Sequence, residues 1–388
     1  MRVIPSDMEG NTWYSGRKPM QKIALSLVIL VHGLIHIMGF VKAFDLAEIN
    51  QLTREISRPM GIAWLAATLL FVATLLLYLL NIREWWMMAL PALLLSQVVI
   101  ILHWGDTKFG TLANIIILAA AVVAFGSWRF AKTTETLLDD LLSGREGSAV
   151  TVTEEVLASK PAVVATWLQR AGVTGKPAAG HVYLTQRGRM RTTPDGNWME
   201  FTAEQHFITN RPSFLWRVKV NMAPGLHLAG RDTLIEGRGR MNIKLLSLVP
   251  VVDARGEAID QGTLVRFLSE ILWFPSAALS DYIRWEELEG NRARAVMTRG
   301  DVTVSGIFTF GESGDPSGFR AKRYYDRKGG ATLEDWHVSL PADGYREFEG
   351  RRVPARASVT WKLDEGDYHW LDLEITSIEY NPGQGETF

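Results

Sequence analysis

Cysteine is absent from all 388 residues. Its absence excludes disulfides, thiolate metal sites, cysteine nucleophiles and iron–sulfur clusters together. Long apolar runs are missing after Trp128, whereas four crowd the residues before it: Ile23 to Phe40, Ile62 to Leu80, Met87 to Leu102 and Leu112 to Phe125. Each approaches the ~20 residues that a helix needs to cross hydrocarbon, so the sequence predicts four transmembrane helices and then a part organised by water. An excess of positive charge is also lacking. Of 41 Lys and Arg and 42 Asp and Glu, 9 and 7 fall at or before Trp128, which leaves 32 against 35 beyond it. Such a slightly acidic part has no basic surface to hold a phosphate backbone, and nucleic acid is not an expected partner. No small-residue cleavage pattern follows the first apolar run, which is therefore read as a retained membrane helix.

Tryptophans mark the helix ends, because indole rings favour the headgroup region. Trp85 and Trp86 open the third run and Trp104 closes it, ~27 Å away at 1.5 Å per residue. Trp64 falls near the start of the second run and Trp128 at the end of the fourth. Four crossings put both termini on one side, with Arg2, Arg17, Lys18, Lys22, Arg83, Arg129 and Lys132; opposite lie Lys42, Arg54, Arg58 and Lys108. The positive-inside rule then favours cytoplasmic termini.

His32 and His36 share one face of the first helix, and ionisable groups at membrane depth raise a functional question. Depth counting places His36, Gln97 and Asn114 on the order of 7 to 10 Å below one interface, with His103, Asp106 and Lys108 in the loop above. Such a polar cluster is read first as interhelical hydrogen-bonding, with Gly33 and Gly39 allowing close approach. The alternatives are a proton or small-ligand site, and a metal or haem site using His32, His36 and His103. No cofactor is assigned.

Past Trp128, leucines at 137, 138, 141 and 142 form a helical stripe over Thr133 to Leu142. Ser143 to Val152 reads as a linker, and Ala162 to Ala171 as a further helix. The expected divisions are a transmembrane part over 1–132, a helical linker over 133–160 and a β-rich domain over 161–388. In that domain alternation dominates, most cleanly where Phe214, Trp216, Val218, Val220 and Met222 face one way and Leu215, Arg217, Lys219 and Asn221 the other. Further strands are predicted at Val182 to Thr192, Trp198 to Thr209, Leu228 to Leu246, Arg294 to Arg299, Val302 to Phe310, Gly318 to Tyr325, Trp336 to Leu340, Arg356 to Leu363 and Trp370 to Tyr380. The fold class is a membrane α-helical bundle plus an α+β domain, a curved antiparallel sheet or half-barrel with one amphipathic helix.

That helix is read at Leu264 to Phe274. Leu264, Phe267, Leu268, Ile271 and Leu272 repeat at helical spacing, with Arg266, Ser269 and Glu270 on the opposite face. Pro275 limits its continuation. It must bury its stripe on the sheet, as permanent core or as a lid over an apolar pocket lined by Trp216, Phe267, Ile271, Trp273 and Phe274. Catalytic patterns are weak. Gly237-Arg238-Gly239 lacks a nucleotide-loop setting; Asp253, Asp260, Glu270 and Asp281 read as turn, cap or solvated positions; His181, His206, His227, His337 and His369 are scattered without metal spacing.

His32-Gly33-Leu34-Ile35-His36 and Trp104-Gly105-Asp106-Thr107-Lys108-Phe109-Gly110-Thr111-Leu112-Ala113-Asn114 resemble small four-helix bacterial membrane proteins of unknown function. Arg231-Asp232, Gly237-x-Gly239, Val249 to Ala254, Glu270-x-x-Trp273-Phe274-Pro275 and Ile378-Glu379-Tyr380 resemble a bacterial family of unknown function. The layout of strands, one amphipathic helix, then strands ending near the Tyr345 to Pro354 hairpin also resembles the half-barrel of bacterial lipoprotein and lipid carriers. That resemblance implies a concave face for acyl chains. The expectation is a non-catalytic membrane protein whose tethered domain binds a lipid or other apolar small molecule. The alternatives are an active bundle regulated by the soluble domain, and a scaffold without ligand.

Overall fold

A computed structural model describes residues 19–143 and 150–383. Arg2, Arg17 and Lys18 of the loop-charge count, and the middle of the predicted linker, lie outside the described residues. The chain forms two compact units. One holds the helical residues up to Lys132 with the turns Ala223–Gly225 and Leu246–Leu248; the other holds the remainder.

The helical unit contains α1 (Pro19–Ile35), α2 (Ile37–Ala43), α3 (Arg58–Leu79), α4 (Trp85–Leu102), the short α5 (Trp104–Thr107) and α6 (Gly110–Ser143), which continues into the second unit. The first apolar run is thus two helices, interrupted at His36, whose N–H reaches back three residues to the Gly33 carbonyl. Four helical stretches, Met20–Ala43, Arg58–Leu79, Trp85–Leu102 and Gly110–Ser143, are long and apolar enough to cross a membrane. Their outward residues include Leu27, Leu69, Leu94, Ile101, Leu112 and Ile115, while His32, Thr68, Ser96 and Asn114 are buried. Apolar outside and polar inside is the arrangement that lipid favours and water opposes.

The helices alternate in direction. Lys22 donates to Asn81 Oδ1 at 2.8 Å and Trp128 Nε1 to Glu84 Oε1 at 3.0 Å at one end. Thr53 N–H donates to Asp106 Oδ2 at 2.7 Å at the other. Close approach depends on small residues: a Cβ on Gly39 would fall 2.0 Å from Trp64 Cδ2, so only glycine lets that indole lie against the helix.

The second unit holds α7 (Glu154–Ala158), α8 (Ala162–Arg170) and β1 (His181–Met190), β2 (Met199–Ile208), β3 (Ser213–Ala223), β4 (Leu226–Ile235), β5 (Arg238–Leu245) and β6 (Val249–Ala254). Then come α9 (Glu257–Glu270), two 3-10 turns, β7 (Ile283–Leu288), β8 (Arg292–Arg299), β9 (Val302–Phe310), β10 (Pro316–Tyr325), β11 (Thr332–Ser339), β12 (Tyr345–Phe348), β13 (Arg351–Pro354), β14 (Arg356–Leu363) and β15 (Gly366–Tyr380). Thirteen strands make one antiparallel sheet ordered β6-β5-β4-β3-β2-β1-β15-β14-β11-β10-β9-β8-β7, with β12 and β13 as a separate hairpin. It is open, not a closed barrel, and curves so that β4 and β5 on one arm and β9 and β10 on the other all pack on α9.

Several predicted boundaries are corrected. The run Leu228 to Leu246 is two strands, folded at Glu236 and Gly237, both at positive φ (53° and 78°); alternation passes through a tight turn without a break, which hid it. Strands β6 and β7 have no counterpart among the predicted strands. The helix begins at Glu257 and ends at Glu270, with Ile271–Trp273 forming a 3-10 turn. Ser269 and Glu270, read as part of the polar face, are buried like the apolar stripe and Arg266 of the same face is half-buried, because sheet packs on α9 from both arms.

Both sheet faces are covered in part. Leu264, Phe267, Ile271 and Phe274 pack with Phe207 and Phe214 on the inner face. Leu215 faces the other way, yet it is buried with Ile208 against Leu141, Leu137, Leu138 and Leu142 of the α6 tail. That tail and the predicted fourth membrane helix are one continuous helix.

Candidate functional site

Within the bundle the polar residues meet, in a different grouping from the one depth predicts. His32, not His36, joins α4 and α6: its Nε2 lies 2.8 Å from Asn114 Oδ1 and 3.2 Å from Ser96 Oγ. Asn114 Nδ2 donates to Gln97 Oε1 at 3.0 Å, and Gln97 Nε2 to Thr111 Oγ1 at 3.2 Å. A chain whose middle members are carboxamides ties three helices together, but these groups carry no ionisable proton to pass.

His36 follows the break after α1 and turns to the rings of Trp64 and Phe71, each 5.6 Å away. Its Nδ1 lies 2.8 Å from the His32 carbonyl, which fixes the proton there and leaves Nε2 as a buried lone pair without a donor. His103 Nδ1 bonds the Val99 carbonyl in the same manner at 3.1 Å, and its ring lies 5.7 Å from Trp64. Among the described residues no three His, Asp or Glu side chains converge to hold a metal ion. Asp106 stands apart in the connecting segment; the Thr53 hydroxyl and N–H hold its carboxyl below the ordinary range.

The half-barrel interior holds a second polar cluster. Arg266, on α9, donates from Nη1 to Asp232 Oδ2 and from Nε to Glu270 Oε1, both at 2.8 Å. Gln205 Nε2 donates to Glu270 Oε2 at 2.8 Å, and Trp216 Nε1 to Gln186 Oε1 at 3.1 Å. The guanidinium carbon of Arg266 stands 4.4 Å from the Trp216 ring centre. Burial pushes the Asp232 and Glu270 carboxyls up, with Arg266 pulling the other way. Burial also opposes the charge of Arg266, yet Glu270 and Asp232 hold its pKa above the ordinary value. Removing Arg266 alone would strand two buried carboxylates, a loss of roughly 3 to 5 kcal/mol.

The residues predicted to line a ligand space divide into two groups. Phe267, Ile271 and Phe274 have no exposed surface and Trp273 is 5% exposed; Phe207 and Phe274 ring centres stand 4.5 Å apart, filling one end of the concave face. Trp216 lies one inward position along β3 from Phe214, with its indole against Arg266, and is half-buried. At the other end, where Met190 pairs with Met199, these two and Leu228, Tyr325 and Leu363 pack on the core while remaining only partly buried. The aspartates named in the sequence do not pair with one another: Asp253 binds Arg240 and Asp260 binds Arg238 and the Gly239 N–H. On the opposite face of the sheet, a groove of about 720 Å³ is bordered by the pairs Arg187–Glu374 and Arg189–Asp372.

Sequence reasoning passed over Gln186, Gln205, Asp232 and Arg323 as site residues. A signal for each existed, because each sits at an inward position of its strand among apolar neighbours, such as Phe319, Ala321 and Tyr325 around Arg323.

The chain belongs to DUF6544, a family of unknown function, which it matches over residues 150–373. No curated protein matches it. Among solved structures it is similar to a provisionally named outer membrane lipoprotein-sorting protein domain from Vibrio parahaemolyticus, at 12% identity and a TM-score of 0.32, covering 53% of this chain and 88% of that one. It is similar also to a DUF1329 family protein from Desulfovibrio piger, at 10% identity and a TM-score of 0.32, covering 58% of this chain and 95% of that one.

Proposed function

We propose that this DUF6544 member is a multi-pass protein of a bacterial inner membrane whose half-barrel domain binds a lipid or other apolar small molecule, without covalent chemistry. One observation carries the reading: packing is uneven along the concave face. At one end Phe207, Phe267 and Phe274 are wholly buried, whereas at the other Met190, Met199, Leu228, Tyr325 and Leu363 keep exposed surface although they pack on the same core. A concave, mostly apolar surface with a few converging polar groups is the usual form of a small-molecule site. The ligand space therefore lies beyond the aromatic plug, with α9 as fixed core.

The test uses full-length protein held in amphipol and stripped of lipid. It should take up a fluorescent long-chain probe, and protein purified gently should release a defined lipid on mass spectrometry. Met199→Arg puts a charge at the open end and should abolish uptake while leaving the thermal transition in place. Uptake unchanged in that variant would place the probe on the membrane helices and defeat the proposal, as would no uptake by the parent.

A further inference from the structure

Among the described residues several buried polar atoms lack a partner, and inside the half-barrel they include the acceptor Asp232 Oδ1 and the donor Trp336 Nε1, with the half-buried Arg323 beside that indole. Asp232 is 2% exposed; its Oδ2 takes Arg266 Nη1, while Oδ1 meets no donor in hydrogen-bonding geometry, although the Thr233 N–H acts on the carboxyl. Arg323, on β10, stands with its guanidinium carbon 5.1 Å from the Trp336 ring centre and 5.9 Å from that of Trp361. It makes no hydrogen bond or ion pair with any described residue. Gly262 of α9 makes room for it, since a Cβ there would lie 3.2 Å from Arg323 Nε. Among the charges acting on Asp232, Arg323 ranks next after Arg266.

An unmet buried acceptor costs about 1 to 3 kcal/mol, more when charged, and native structures rarely keep one without a partner from outside the fold. Charge decides which partner fits. Arg266 and Arg323 already balance Asp232 and Glu270, so a head group bearing net charge would leave that charge uncompensated in a weakly polar interior. A neutral head that both donates and accepts can serve Asp232 Oδ1 and Arg323 without adding charge.

We propose that the half-barrel selects a neutral, hydroxyl-bearing amphiphile, its hydroxyl donating to Asp232 Oδ1 and accepting from Arg323. This rests on the apolar-ligand reading above and names the head group that accompanies the chain. The carboxylate and guanidinium orient and select; no bond is made or broken.

The experiment presents the delipidated full-length protein with four competitors of one saturated chain length: a monoacylglycerol, a fatty acid anion, an alkane and an alkyltrimethylammonium. Each displaces the fluorescent long-chain probe. The monoacylglycerol should bind about tenfold tighter than the other three, the factor expected of one net hydrogen bond to a charged group. Arg323→Met breaks no hydrogen bond of the fold but removes one of the two cations that balance Asp232 and Glu270, so its thermal transition should drop while staying cooperative, and the ratio of monoacylglycerol to alkane affinity should fall toward one. Equal binding of all four overturns the head-group assignment and leaves the apolar-ligand reading standing. So does tightest binding of the anion, which would make Arg323 a counter-ion, or an unchanged preference in Arg323→Met. Failure of the probe itself to bind overturns both.

Discussion

His206 shows how an environment reverses a side chain's ordinary habit. It stacks on Tyr183 with ring centres 4.6 Å apart, and its Nδ1 lies 3.1 Å from His181 Nε2. Burial first, then His181 and Arg217, pull its pKa down to about 3 from an ordinary 6.5. Between those values the unfolded chain binds a proton that the folded protein refuses, so stability falls as pH drops through the window. At ~1.4 kcal/mol per pH unit, going from pH 6.5 to 5 should remove ~2 kcal/mol from this domain. Urea unfolding of the parent and of His206→Phe at both pH values checks it; the variant should show a smaller acid loss, and an equal loss would assign the effect elsewhere. At this scale the sequence was partly legible. The inward parity of Asp232 and Arg323 could be read from alternation, but that Asp232 pairs with Arg266 while Arg323 finds no polar partner could not, because partners come from strands and a helix distant in sequence.

At the scale of elements, the contact between α9 and β5 turns on one residue. A Cβ on Gly239 would lie 2.5 Å from Thr263 Oγ1 and 2.6 Å from the Ile259 carbonyl oxygen, inside any allowed separation. Gly239→Ala should therefore lift α9 from β5 and destabilise the domain by about 1 to 3 kcal/mol, the usual range for overpacking. Gly329→Ala, whose Cβ meets nothing within 4 Å, is the matched control and should leave the urea midpoint unmoved. Equal midpoints for the two variants would show that the helix has slack. The stripe from Leu264 to Leu272 revealed that a helix exists and what it buries; its first seven residues were missed because Asp260, Gly262 and Thr263 interrupt any apolar period, and they are buried by the returning arm of the sheet. In the bundle, depth along each helix was legible from residue counting. Which residues turn toward one another depended on rotation about the axis and on the break at His36, neither of which a depth count contains.

For the whole molecule, the asymmetry of loop charge leads to a checkable expectation: reporters fused after Phe388 should be active as cytoplasmic reporters and silent as exported ones, and the reverse pattern would invert the proposed topology. The partition itself, four apolar helices before an alternating β-rich body, was determined by the sequence alone, because hydrophobic run length and period-two patterning are local properties that each segment carries unaided. The tertiary structure alone decided that the thirteen-stranded sheet stays open, that one helix serves both of its arms, and that Arg266 and Arg323 lie inside with Asp232 and Glu270. Those outcomes depend on which distant strands become neighbours. A charged side chain reads the same in sequence whether it faces water or a buried carboxylate, and only the fold supplies the difference.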